Sequence, residues 1–457
     1  MEKIAAKSRS RRSGLMPDDG LAMHGDRAES VVAAAKVCVS NLLAARRGDA
    51  GGRLAVILDD FFEALAALCP ERETMAARTR WSAATRAAMR EIVDTLRTGK
   101  PGANGAVPVA VLARVAAEAI RWDAVDCQLP DPGLWVWLGK LFHACTSDEQ
   151  RLDGESGTVA REYLRAVAYH AAALDQQTLK VGFAIARLIE PLLPHLLLVR
   201  ASTPSALYFI DASHHGVPMR LACGETPKGW RFVAMAAADK LADWHNQLVQ
   251  GQPVAKLGNV EPEVLRVAVV QLYRLWSVSP PVRRFRRYAM AARLNVVRGY
   301  DNVVDLLDKD KEALAAGTGD WRIVDLSRGG VGASSVTPRI KPPGTGDLVM
   351  FCPEEGTRWH LGVVRRFLHS KSHTEIGIAT LSTHPMLMAV DDGQEARKLC
   401  CCDPLSQGEA IRLLAPPGVL GNEKPLFVTE KGMVFKLRQL VDVVRGKDFD
   451  LCIFQVL

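Results

Sequence analysis

The chain of 457 residues has no long uninterrupted apolar run. Its most hydrophobic stretch, Ile185 to Val199, is broken by Arg187, Glu190, Pro191, Pro194 and His195. A membrane span needs about 20 consecutive apolar residues, so this stretch reads as a buried helix and its exit. A secretion signal is not expected either. Lys3 to Arg12 is basic and holds a twin arginine, but no apolar segment follows it. The ten cysteines lack the spacing of a secreted disulfide framework, which excludes a stapled mini-domain and suits reduced thiols in a cytoplasmic protein. Three of them, Cys400, Cys401 and Cys402, are adjacent. Neighbours on an extended segment point to alternate faces, which is poor geometry for one metal ion. There is no Gly-x-x-x-x-Gly-Lys loop and no pattern of an activated nucleophile. The formal charge of +7 is modest for this length. It is weaker than a dedicated DNA binder requires, yet its concentration near 283 to 298 suits a compact anionic ligand.

What is present is ample apolar material, 48% of the chain, in a length that calls for two or three domains. Residues 1–26 read as a disordered basic tail. Residues 27–276 read as a mainly helical domain, with apolar side chains at helical spacing in Leu54, Ile57, Leu58, Phe61, Phe62 and Leu65. Further helices are expected from Pro108 to Trp122, through Val159 to Ala171, from Thr178 to Leu193 and from Glu261 to Trp276, the middle two packed as an antiparallel pair. The period switches near 206–235, where Leu207 to Ile210 and Trp230 to Val233 read as the strands of a hairpin-like insert. Between them Asp211, His214 and His215 form the one constellation that tempts an enzyme reading. A metal or general-base role would need a third convergent group, and no motif supplies one.

Ser277 to Pro281 ends the helical region, because proline cannot continue a helix. An arginine-rich linker, 277–287, follows. Arg283 and Arg287 stand as Arg-x-x-x-Arg, with Arg284 and Arg286 between them. Downstream, Trp321 to Val324 reads as a strand that ends in a glycine-hinged turn, in which Asp325, Ser327 and Gly330 form Asp-x-Ser-x-x-Gly. Later strand-like stretches are Gly346 to Val349, Leu361 to Arg366 and Glu375 to Ile378.

In that order, over roughly residues 280–384, these motifs resemble the PilZ family of small antiparallel β-barrels, which bind the bacterial second messenger cyclic di-GMP. The resemblance implies a barrel over 288–384, giving an α+β multidomain chain. It does not account for the β-rich extension over 385–457, which is expected either to add strands to the barrel or to cover one of its edges. It also implies a ligand set of Arg283, Arg287, Asp325, Ser327 and Gly330, with Arg284, Arg286 and Arg328 as further candidates. One departure stands out. Residues 303 to 318 read as a polar helix, so the gap between the two motifs is longer than a minimal PilZ domain needs.

The chemistry of such a set suits the ligand. The arginine fork bonds bidentately to phosphate or to guanine O6 and N7, and its flat face stacks on the base. A carboxylate accepts from guanine N1–H and N2–H2, and a hydroxyl adds an adaptable contact. The reading is therefore a cytoplasmic cyclic di-GMP receptor without catalytic residues, metal or cofactor. Its output would be motility, adhesion or exopolysaccharide production, through a protein partner of the helical region and with no nucleic-acid polymer bound. The alternative is a PilZ-like scaffold that does not bind the dinucleotide.

Overall fold

The computed structural model describes residues 75–97, 108–146, 151–154, 158–211, 216–221, 228–254, 260–277, 285–308, 321–336, 342–370, 373–420, 425–430 and 432–457, with 33, 37, 40, 56, 58, 61 and 62. The expected basic tail at 1–26, Arg283, Arg284, His214 and His215 lie outside the described residues. The chain divides into two compact units, 1–108 and 109–457.

In the first unit, helix α1 (Met75–Arg97) buries Met89, Ile92, Val93 and Leu96, one apolar stripe at helical spacing. Leu58, Phe61 and Phe62 are also buried there, as their spacing predicts.

The second unit opens with a helical region. Helix α2 (Val109–Val125) is followed by α3 (Pro132–Thr146). Asp131 starts α3 by accepting from the Gly133 and Leu134 amides at 2.8 and 3.3 Å, and Pro132 fits the first turn, where an amide hydrogen has no helical partner. Strand β1 (Arg151–Asp153), α4 (Thr158–Ala171), α5 (Leu179–Leu192) and β2 (Leu197–Val199) come next, then β3 (Ala206–Asp211), β4 (Met219–Arg220) and β5 (Gly229–Val233). Helices α6 (Met235–Val249) and α7 (Pro262–Trp276) complete the region. Among the described residues no helix is long and apolar enough to cross a membrane.

Two expectations are refined here. The strands expected at 207–210 and 230–233 do pair, as β3 and β5, but within a five-stranded sheet ordered β1-β2-β5-β3-β4. Strands β1, β2 and β4 are two or three residues long and hold their shape only through pairing, which leaves little periodic trace in the sequence. Second, α4 packs mainly on α2, and α5 on α7. Their contact with each other is smaller and partly polar: buried Arg165 pairs with Glu162 at 2.8 Å and with Glu190 of α5 at 2.8 Å.

The remainder is β. Strands β6 (Tyr288–Ala289) and β7 (Arg293–Arg298) precede helix α8 (Tyr300–Asp308). Then follow β8 (Trp321–Ser327), β9 (Gly330–Ser335), β10 (Leu348–Pro353), β11 (His360–His369) and β12 (Thr374–Ser382). Strands β7 to β12 close into a six-stranded antiparallel barrel, the ring completed by β8 pairing with both β7 and β9. Its core holds Leu294, Val296, Trp321, Ile323, Phe351 and Ile376. Each large apolar side chain so buried contributes about 1.5–3 kcal/mol.

The C-terminal residues do not extend this barrel. Strands β13 (Met386–Asp391), β14 (Ala396–Cys401), β15 (Ala410–Ala415), β16 (Leu426–Glu430), β17 (Met433–Gln439), β18 (Val444–Arg445) and β19 (Asp450–Val456) form a second sheet, closed by β15 pairing with β19. This second six-stranded barrel, with β18 appended, has a core of its own around Leu399, Ile411, Leu413 and Phe454. The two barrels share a third core, in which Tyr300, Val303 and Leu306 of α8 meet Leu348 and Met350 of the first and Cys400, Leu414 and Phe449 of the second. The helix that lengthens the gap between the two sequence motifs is thus the element seated between the barrels. Polar contacts reinforce that seam. Buried Asp347 pairs with Arg298 at 2.6 Å and with Lys447 at 2.8 Å, and Ser382 Oγ donates to the Cys402 carbonyl at 2.5 Å.

Candidate functional site

The site grows from an irregularity in β8. Trp321 and Ile323 face the barrel core, so strict alternation would send Asp325 inward after them. A register shift against β9 between Ile323 and Asp325 inserts Val324 as an extra residue. This bulge re-phases the strand. Leu326 takes the next place against the core, and Asp325 turns outward.

The linker then lies down on that strand. Tyr288 pairs with Leu326 and Ala289 with Asp325, and the Met290 amide donates to the Val324 carbonyl at 3.3 Å. This antiparallel zip brings Arg287 over the bulge, where its Nη1 donates to Asp325 Oδ1 at 2.5 Å. The two side chains keep 32% and 29% of their surface, so the pair is open to a ligand. Beneath them is Gly332, the cross-strand neighbour of Asp325. A Cβ added there would stand 2.7 Å from Asp325 Oδ1 and 3.3 Å from Arg287 Nη1. Gly332 therefore makes room for the pair, a role the sequence reading missed although the residue ends its Gly-Gly-Val-Gly run.

The neighbouring aromatic residues also escaped the sequence reading. Phe285 packs on the β8–β9 turn, 2.8 Å from where a Cβ of Gly329 would be. Arg328 sits over the Phe285 ring at 5.8 Å and Arg286 over Tyr288 at 5.5 Å, both within cation–π range. Beside the Arg287–Asp325 pair, the linker and the turn thus carry two further guanidinium groups, each set over an exposed ring.

Two members of the expected set have local duties. Ser327 Oγ donates to the Gly330 carbonyl at 3.2 Å, tightening the turn. Gly330 is required by the barrel itself, because a Cβ there would lie 2.1 Å from the Ile378 carbonyl oxygen. Arg287, Asp325, Ser327 and Gly330 are therefore together, with Arg286 and Arg328 at the rim, while Arg283 and Arg284 lie outside the described residues.

Elsewhere, Asp211 ends β3. Among the described residues no group of three His, Cys, Asp or Glu side chains could hold a metal ion. The three adjacent cysteines are all buried, with Cys400 and Cys402 in the core between the barrels and Cys401 in the core of the second. Burial pushes the Cys400 thiol up to about 12 and the Cys401 thiol to about 11, which suppresses the reactive thiolate. No protein-family model matches this chain, and no curated protein is detectably similar to it.

Proposed function

We propose that this chain is a cytoplasmic cyclic di-GMP receptor of the PilZ kind. The reading rests on the folding of the linker onto the bulged strand, which sets the Arg287 guanidinium against the Asp325 carboxylate on one open surface. A bound dinucleotide takes Arg287 for a phosphate or for guanine O6 and N7. Asp325, released, accepts from guanine N1–H and N2–H2. Arg286 and Arg328 add charge and stacking faces, and Arg283 of the same linker completes the expected set. Because the cationic arm is the linker itself, binding re-seats the helical region, and that movement is the signal for motility, adhesion or exopolysaccharide output.

Calorimetry with cyclic di-GMP on wild type and Arg287→Ala tests this. A charge-assisted contact contributes about 1.5–3 kcal/mol, so the variant binds at least about tenfold more weakly. Its melting temperature stays near wild type, because an ion pair this exposed is worth only about 0.2–1 kcal/mol. Equal affinities would refute the assignment. One observation favours a second reading, a scaffold without ligand: Arg287 with Asp325 and Ser327 with Gly330 satisfy one another internally. A wild-type protein that gives no binding heat establishes that reading instead.

A further inference from the structure

Where the helical region meets β11 of the first barrel there is a cleft of about 500 Å3, counted out to its mouth. Its walls are tied together by backbone. The His369 amide donates to the Cys127 carbonyl at 2.9 Å, and the Leu129 amide to the His369 carbonyl at 3.1 Å. Its lining includes Asp123, Asp131, Asp175, Trp135 and His170 from the helical region and Arg366 from β11.

The polar groups of this lining are mostly acceptors. Asp175 is desolvated, which raises its carboxyl above the usual range, and Arg366 Nε, its cationic partner among the described residues, is a long 3.3 Å away with half of its side chain in solvent. Asp123 is only 4% exposed. Burial lowers His170 to about 4, so the ring is neutral at ordinary pH. One ring nitrogen is bonded to the Pro218 backbone, and a neutral imidazole then has an acceptor at the other. The ring is held edge-on to Trp135 at 5.8 Å and to Tyr208 at 5.7 Å.

Such a lining repels anions, and it lacks the convergent ligands of a metal site. Carboxylates beside aromatic faces, in a desolvated cleft, favour a cation rich in N–H donors. We propose that this cleft binds a small organic cation, a primary ammonium or guanidinium on a short apolar stem. Its head sits against Asp175 and the His170 acceptor, and its stem lies along Trp135. The ligand touches both the helical region and the barrel, and so fastens them. This site is separate from the Arg287–Asp325 surface and does not depend on the dinucleotide reading.

The test is calorimetry on the full chain with n-butylamine and butylguanidine, with sodium butyrate as the anionic control. Saturable binding is expected in the millimolar range suited to ligands of about five to eight non-hydrogen atoms, with none for butyrate. Asp175→Asn weakens it about tenfold or more. Arg366→Gln removes the competing cation and tightens it several-fold, a gain that damaged folding cannot mimic. The proposal fails if neither cation binds to folded wild type up to about 10 mM, if butyrate binds as well as the amine, if Asp175→Asn binds as wild type, or if Arg366→Gln weakens binding.

Discussion

Replacing Gly330 by alanine probes the turn that carries the candidate site. The added Cβ would lie 2.1 Å from the Ile378 carbonyl oxygen and 3.1 Å from its carbon. Carbon and oxygen ordinarily approach to about 3.3 Å, so β9 and β12 must part by roughly 1 Å. Forced overpacking costs about 1–3 kcal/mol. The parted strands also lose the hydrogen bond from the Thr380 amide to the Gly329 carbonyl, now 3.1 Å, at about 1 kcal/mol. The expected destabilisation is therefore about 2–4 kcal/mol. Gly346→Ala is the control: its φ is +88° but nothing lies within 4 Å of the new carbon, which leaves only the left-handed backbone cost of about 1–2 kcal/mol. Urea unfolding measures the totals, and hydrogen exchange at β9 and β12 amides localises them. If Gly330→Ala costs no more than Gly346→Ala and leaves those amides protected, the steric argument is wrong.

Leu306→Ala, at a side chain 1% exposed between the barrels, is expected to cost about 2–5 kcal/mol. Faster exchange should appear in both β10 and β14, and a change confined to one barrel would contradict a shared core. Burial pushes Glu162 up to about 7 against the opposing pull of Arg165. The folded protein then keeps a proton that the unfolded chain releases near about 4.3, so the contribution of this group to stability falls between about pH 4.5 and 7 and is level above. Melting curves of Glu162→Gln should lack that fall, and parallel profiles for the two proteins would reject it. Thiol labelling at pH 8 should spare Cys400, Cys401 and Cys402 in the folded protein and modify exposed Cys145. Rapid labelling of the triplet, mapped by mass spectrometry, would mean that the second barrel opens readily.

Much of this architecture is legible in the residues. The stripe of Leu265, Ala268, Leu272 and Trp276 foretells α7 within a residue of its start, because side chains every three or four positions have one buried face to share. Short runs of strand-forming residues mark β7, β16, β17 and β19. Where the sequence is silent, the cause is long-range pairing. Strand β15 reads Ala-Ile-Arg-Leu-Leu-Ala, a composition equally at home in a helix, and becomes a strand because β14 and β19 flank it. The closure of a second barrel is a fact of register between distant strands and leaves no local mark. At the site, the pairing of Arg287 with Asp325 was within reach of the motifs. The outward turn of Asp325 was not, since simple alternation from Ile323 points it inward until the bulge at Val324 is known. Gly332 was readable only as one more turn glycine, its purpose being set by the strand opposite.

The core built around α8 bears on how the chain can be divided. Residues 288–384 look like a portable unit, but cutting there would strip Cys400, Cys402, Leu414 and Phe449 from one side of Tyr300, Val303 and Leu306. Such a fragment would carry a raw apolar face and would aggregate for reasons unrelated to its ligand. A piece meant for binding studies should begin before the arginine linker and run to Leu457, so that both barrels are kept whole.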